Sequence, residues 1–147
     1  MADHLRKQIR DAAVTALTGL TTSGSRVFEN RTHELQDVNL PGLRIYTNDG
    51  ASKVGSSGVK RIRERSVELV VECCSKKSSG MDDELDAMIK EVEVALDAVG
   101  AIPAAKSVDP GREEIDMGGE AEKEIGVARL TFVVTYQTAR GAPDVAL

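Results

Sequence analysis

Residues 47–61 read TNDGASKVGSSGVKR, and the fold turns on how this stretch is understood. Gly50 and Gly55 are separated by four residues, as in the phosphate-binding pattern G-x-x-x-x-G-K-[ST]. That pattern runs from a buried strand into a helix whose N-terminus holds phosphate. Here Ser56 stands where the lysine is needed, Ser57 follows it, and Lys53 lies inside the loop. The segment after Gly58, VKRIRERSVELVVECC, alternates with a period of two, which is the periodicity of a strand. Val67, Leu69, Val71 and Cys73 share one face, while Glu68 and Glu72 share the other with Val70 and Cys74. On the near side, LRIYT (43–47) alternates in the same way after the punctuation of Pro41 and Gly42. The stretch is therefore read as the elongated tip of a β-hairpin. Residues 48–59, rich in glycine and serine, form a mobile connection.

Outward from the hairpin, the remaining segments fall into place. Residues 3–18 carry Leu5, Ile9, Ala12, Ala13, Ala16 and Leu17 at helical spacing, with Asp3 as the expected N-cap and Gly19 as the stop. Residues 26–29 form a short strand, and Asn30–Asn39 a polar loop. Strand 60–74 is followed by a turn, SKKSSG, whose Ser79 caps a second helix over 81–99. Its apolar face is Leu85, Ile89, Val92, Leu96 and Val99, and Asp82, Asp83 and Glu84 sit at its positive end. Strands at 112–117 and 124–138 complete the chain, and the tail from 139 to 147 is loose. The order α-β-β-β-α-β-β predicts a single α+β domain over 1–147. Its sheet is mostly antiparallel, of four to five strands, with two helices packed on one face.

Composition narrows the function classes. Aromatic residues make up 3% of the chain, so the core is aliphatic and no stacking platform for single-stranded nucleic acid is available. The net charge of −5 argues against a general nucleic-acid binder. No apolar run approaches the length of a membrane span, and no signal-peptide pattern is present. Cys73 and Cys74 are neighbours on a strand and point to opposite faces, so they are read as reduced packing residues. The two histidines, His4 and His33, lie in different segments without a Cys-x-x-Cys pair, which leaves no metal site. The spacing of Gly55-Ser56-Ser57-Gly58 is not that of G-x-S-x-G, and both histidines lie in polar surroundings with no nucleophile motif nearby. No catalytic constellation and no cofactor site are expected.

Charge layout is the informative feature. From Lys53 to Arg65 there are five bases, Lys53, Lys60, Arg61, Arg63 and Arg65, against one acid, Glu64. From Met81 to Val99 there are seven acids against one base, Lys90. Either these are solvated faces, or a basic hairpin on one subunit meets an acidic surface on the next. Head-to-tail contacts of the second kind close into a ring when the rotation permits. The interface candidates are Lys53, Lys60, Arg61, Arg63 and Arg65 on the basic side, with Glu91 and Glu93 exposed on the acidic helix.

The segment order also carries a resemblance. LRKQIRDAAVTALTGL is followed by the proline-marked strand LPGLRIYT, then RSVELVVECC, the acidic helix LDAMIKEVEVALDAVG and the closing strand ARLTFVVTYQT. Taken together they resemble the tail terminator proteins of long-tailed bacteriophages, the group that includes the lambda minor tail protein U. The resemblance implies a structural virion protein without enzymatic activity. It implies a hexameric ring on the last ring of the tail tube, which stops tube polymerisation and meets the head-side connector. DNA passes through such a ring without specific binding, and the acidic balance of the chain agrees with a lumen that repels phosphate. Related neck and tail-completion proteins share this plan. The alternatives outside it are a small ligand- or anion-binding α+β domain using the Gly/Ser stretch and Lys53, and a dimeric adaptor.

Overall fold

The computed structural model describes residues 3–29, 39–54, 61–76, 80–118 and 125–147. In chain order the elements are α1 (Leu5–Leu17), β1 (Val27–Phe28), β2 (Gly42–Val54), β3 (Ile62–Lys76), α2 (Met81–Asp97), β4 (Ser107–Gly118) and β5 (Ile125–Ala139). The five strands form one sheet in the order β1-β2-β3-β5-β4. Among the described residues the β1–β2 pair is parallel and the β2–β3, β3–β5 and β4–β5 pairs are antiparallel. This is the α+β architecture expected, with both helices on one face.

Alternation along the long strands places the core. On β5, Ala128, Leu130, Phe132, Val134 and Tyr136 are buried, and on β3 so are Val67, Leu69, Val71 and Cys73. The register sets Leu69 opposite Phe132 and Val71 opposite Leu130. Leu43 and Ile45 of β2 join them, and the helices close the layer with Leu5, Ile9, Ala13 and Leu17 from α1 and Leu85, Met88, Val92 and Leu96 from α2. Burial of one such Leu or Ile is worth roughly 1.5–3 kcal/mol, so the aliphatic stripe of each helix is enough to dock it. Gly126 of β5 is where α2 comes closest: a Cβ there would lie 2.5 Å from Met81 Sδ and 3.0 Å from Leu85 Cδ1.

Several expectations are corrected. The hairpin is longer than its sequence texture suggests. Gly50–Val54 pair with Val67–Arg63, so residues 48–54 belong to β2 rather than to a loop, and residues 55–60 lie outside the described residues. The ladder continues because a bulge between Thr47 and Gly50 resets its register. Gly50 is required there: a Cβ would lie 2.7 Å from the main-chain oxygen of Ser66. Strand β4 starts at Ser107, ahead of the expected 112, because a second bulge between Pro110 and Glu113 absorbs the proline on an edge strand. The N-cap of α1 is His4, not Asp3: its Nδ1 accepts the Arg6 main-chain N–H at 3.1 Å. Gly80 precedes α2, and Ser79 lies outside the described residues. That helix ends at Asp97, so Val99 is fully exposed, and Met81 and Met88 take core positions instead. The tail from 139 is tied down. Leu147 N–H donates to the Gln137 carbonyl at 3.0 Å, Leu5 N–H donates to the Pro143 carbonyl at 3.0 Å, and Gln8 Nε2 donates to the Asp144 carbonyl at 2.9 Å.

Candidate functional site

The basic hairpin does not present its cations on one face. Lys53 pairs across the ladder with Glu64 on the face away from the helices, and its Nζ lies 3.6 Å from the Glu64 carboxylate. With Lys53 76% exposed, this ion pair is worth little. Arg65 sits on the helix face, opposite Ser52 on β2 and the buried Tyr136 on β5. Arg63 lies two residues further along the same face and is exposed, as is Arg61. The Arg61 carbonyl accepts the main-chain N–H of Arg140 at 2.9 Å, which brings another basic residue beside it. Lys60 lies outside the described residues.

The acidic side is changed more. Glu91 is not a free surface acid. Its carboxylate accepts the main-chain N–H of Thr22 at 2.8 Å and the Thr22 hydroxyl at 2.7 Å, pinning the turn after α1 to α2. Glu93 does face outward, and it meets a second carboxyl. Its pKa is raised above the ordinary carboxylate value by a side-chain hydrogen bond with Glu113, then by slight burial and by the negative charges of Glu113 and Asp97. Helix α2 and edge strand β4 thus hold two carboxyls together. Glu113 pairs with Leu130 on β5, whereas Arg65 pairs with Tyr136, six residues further along that strand. At a strand's rise this is about 20 Å, so the acidic pair and the basic hairpin are separate surfaces of one subunit.

The feature that sequence reasoning missed lies on the sheet face away from the helices. Arg44, Glu72, Arg129 and Glu114 are direct cross-strand partners on β2, β3, β5 and β4, a row of alternating charge across the sheet. Glu72 is its centre. Its side chain is 4% exposed and accepts from Arg44 Nη1 at 2.8 Å, Tyr46 Oη at 2.7 Å and Arg129 Nε at 3.0 Å. Arg129 Nη1 reaches Glu114 at 3.4 Å, and Arg112 Nη1 reaches the other Glu114 oxygen at 3.2 Å. The Tyr46 hydroxyl is pushed above its usual pKa, first by burial and then by its hydrogen bond to the Glu72 carboxylate. Alternation had put Glu72 on a mixed outer face. What hid the row was register, since strand pairing aligns residues far apart in sequence.

For catalysis the described residues offer little. They contain no group of three or more His, Cys, Asp or Glu placed to hold a metal ion. The Cys73 thiol is pushed up to about 12, chiefly by burial, so no thiolate nucleophile forms there near neutral pH. Among the described helices none is long and apolar enough to cross a membrane.

No protein-family model and no curated protein matches the chain. Among solved structures, the chain is similar to one whose description reads "Virion of native gene transfer agent (GTA) particle". The two align over 92% of each chain with a TM-score of 0.51 and 16% sequence identity. They share a fold along nearly their whole length.

Proposed function

We propose that this protein is a structural component of a phage-like virion, acting as a tail terminator. In this reading it forms a hexameric ring on the end of the tail tube, stops tube polymerisation and joins the tail to the head connector. The observation that carries the reading is the end-to-end fold similarity to a chain of a gene transfer agent virion. The charge layout supports it. Arg61, Arg63 and Arg65 project from one end of the sheet, and the Glu93–Glu113 carboxyls from the α2–β4 side. Two surfaces of opposite sign at different places on one subunit are what a heterologous ring contact needs. Opposite charge steers docking and fixes its register.

The contact assigned here joins Arg61, Arg63 and Arg65 of one copy to Glu93 and Glu113 of the next. Lys53 meets the tube or the connector, while Glu91 has an internal role. DNA passes the ring without specific binding, consistent with a net charge of −5. Native mass spectrometry and sedimentation across a concentration series, with and without tail tubes assembled from the tube protein of the same particle, test the proposal. The expected result is a ring-sized species, or saturable binding at tube ends that blocks further growth. A strict monomer that leaves tube growth unchanged overturns it.

A further inference from the structure

We propose that the outward edge of β2 at residues 50–54 docks an extended, acidic segment of another protein, which joins the sheet as an added strand. On this side of β2 the neighbour is β1, which pairs with Leu43 and Arg44. Among the described residues no strand lies beside the rest of β2 on that side. An edge of this kind offers a row of main-chain donors and acceptors to an incoming strand. The edge docks its partner whether or not the subunit closes into a ring.

Strand register fixes which groups point outward. The Leu43 N–H donates to the Arg26 carbonyl, so Leu43 and Ile45 turn their main-chain groups toward β1, while Arg44 and Tyr46 turn theirs toward β3. Their partners Glu72 and Val70 therefore face β2. The β3–β5 ladder is unbroken from Ile62 to Lys76, so Ser66 and Glu64 face β2 as well. Ser66 pairs with Ala51 and Glu64 with Lys53, which leaves the N–H and C=O groups of Gly50 and Ser52 pointing away from β3. Gly50, Ala51, Ser52 and Lys53 are all exposed. The opposite margin of the sheet differs, because Pro110 and the bulge beside it interrupt the row on β4.

Charge selects the occupant. From Lys53 to Arg65 there are five bases and one acid. Arg65 lies opposite Ser52 and Arg63 opposite Val54 on the helix face, and Lys53 lies on the other face. From α1, Arg6 reaches the same edge, where its Nη2 donates to the Asn48 carbonyl at 2.8 Å. Arg65 Nη1 lies 3.4 Å from His4 Nε2, on the α1 side. A cleft of about 200 Å³ between α1 and the edge is lined by Arg6, Gly50, Ser52 and Arg65, among others. The side chains of Gly50, Ala51 and Ser52 are too short to cover the arginine beside them. An added strand lies two strand spacings, about 10 Å, from β3, a gap that a glutamate and Arg65 span between them. A second copy does not fit this edge. Its own β2 margin carries the same positive charge, and its acidic strand β4 lacks a regular row of donors.

NMR on the full chain tests this. In the free protein the Gly50 and Ser52 amides, corrected for intrinsic rates, exchange with solvent about tenfold faster than those of Ala51 and Lys53. A capped peptide alternating glutamate with threonine is then added, with the matching lysine–threonine peptide as control. The acidic peptide produces saturable shifts centred on Gly50 and Ser52 and slows their exchange, and the basic peptide does neither. Ser52→Pro removes an outward N–H that the pairing with β3 does not use, so the hairpin stays folded and binding weakens by about tenfold. Lys53→Glu is the second variant in case the first misfolds, and it reduces the preference for the acidic peptide. Equal protection of the four amides in the free protein overturns the proposal. So does an acidic peptide without saturable shifts, equal binding of the two peptides, or binding unchanged in a folded Ser52→Pro or preference unchanged in Lys53→Glu. Slowing of Gly50 and Ser52 that follows protein concentration alone makes a second copy the occupant and overturns the acidic partner.

Discussion

Replacing Glu72 by alanine tests the charged row at its centre. The substitution removes one carboxylate and three hydrogen bonds while leaving the helix-face core intact. The three partners do not lose equally. Arg44 is 13% exposed and loses a close ion-pair partner, in an environment where breaking a buried pair costs about 3–5 kcal/mol. Arg129 is 46% exposed and keeps Glu114, so its loss is that of a surface pair, about 0–1 kcal/mol. Tyr46 loses an acceptor but turns toward the surface. Relaxation of Arg44 toward water offsets part of the total, and a net loss of about 3 kcal/mol is expected. For a chain of this length that lowers the melting temperature by about 10 °C. Differential scanning calorimetry and urea unfolding at pH 7 read it directly. A companion variant, Arg44→Met with Glu72→Met, separates two causes. If the penalty comes from Arg44 having lost the Glu72 carboxylate, the double variant is more stable than Glu72→Ala. If Glu72→Ala melts within 2 °C of the parent, roughly the effect of an ordinary surface change, water already solvates the row and the reasoning is wrong.

Four further outcomes follow from the same structure. Gly50→Ala forces a Cβ against the rigid Ser66 carbonyl and costs about 1–3 kcal/mol in denaturant unfolding. Gly126→Ala costs less, because the atom it meets first is the flexible Met81 sulfur. In native protein at pH 8 Cys73 does not react with a thiol reagent, since burial holds its pKa up to about 12, and it reacts once urea unfolds the chain. The Tyr46 pKa is raised in the folded state, so its contribution is complete below the unfolded value of about 10 and is lost as pH rises through the folded value. Melting temperature should therefore fall above pH 10, and less steeply in Tyr46→Phe.

Much of the fold was legible in the sequence because the periodicities are long. Five alternating apolar positions on β5 and four on β3 leave little freedom in which face is buried. The helix stripes were clear for the same reason, although the final turn of α2 was overextended to Val99. Bulges were not legible. Each inserts a register shift without an apolar signature, so both the Gly50 region and the Pro110–Gly111 pair lost their strand character on paper. The charged surfaces were half legible. Sequence counts found the acidic helix, but only structure shows that Glu91 serves Thr22 while Glu93 meets Glu113. The Glu72 row and the Arg65–His4 approach depend on pairings across 57 and 61 residues of sequence, which no local pattern encodes.

The bulge on β4 bears on how the subunit can and cannot multiply. That strand lies at an open margin of the sheet, where an exposed row of main-chain groups invites another chain to extend the ladder. Pro110 lacks an N–H, the bulge breaks the spacing beside it, and the acids Asp109, Glu113, Glu114 and Asp116 outnumber the one base, Arg112, around it. A second β4 approaching this margin meets repulsion and a ladder out of step. Growth by indiscriminate strand stacking is thereby discouraged, and recognition passes to side chains, which can demand a partner of the opposite sign.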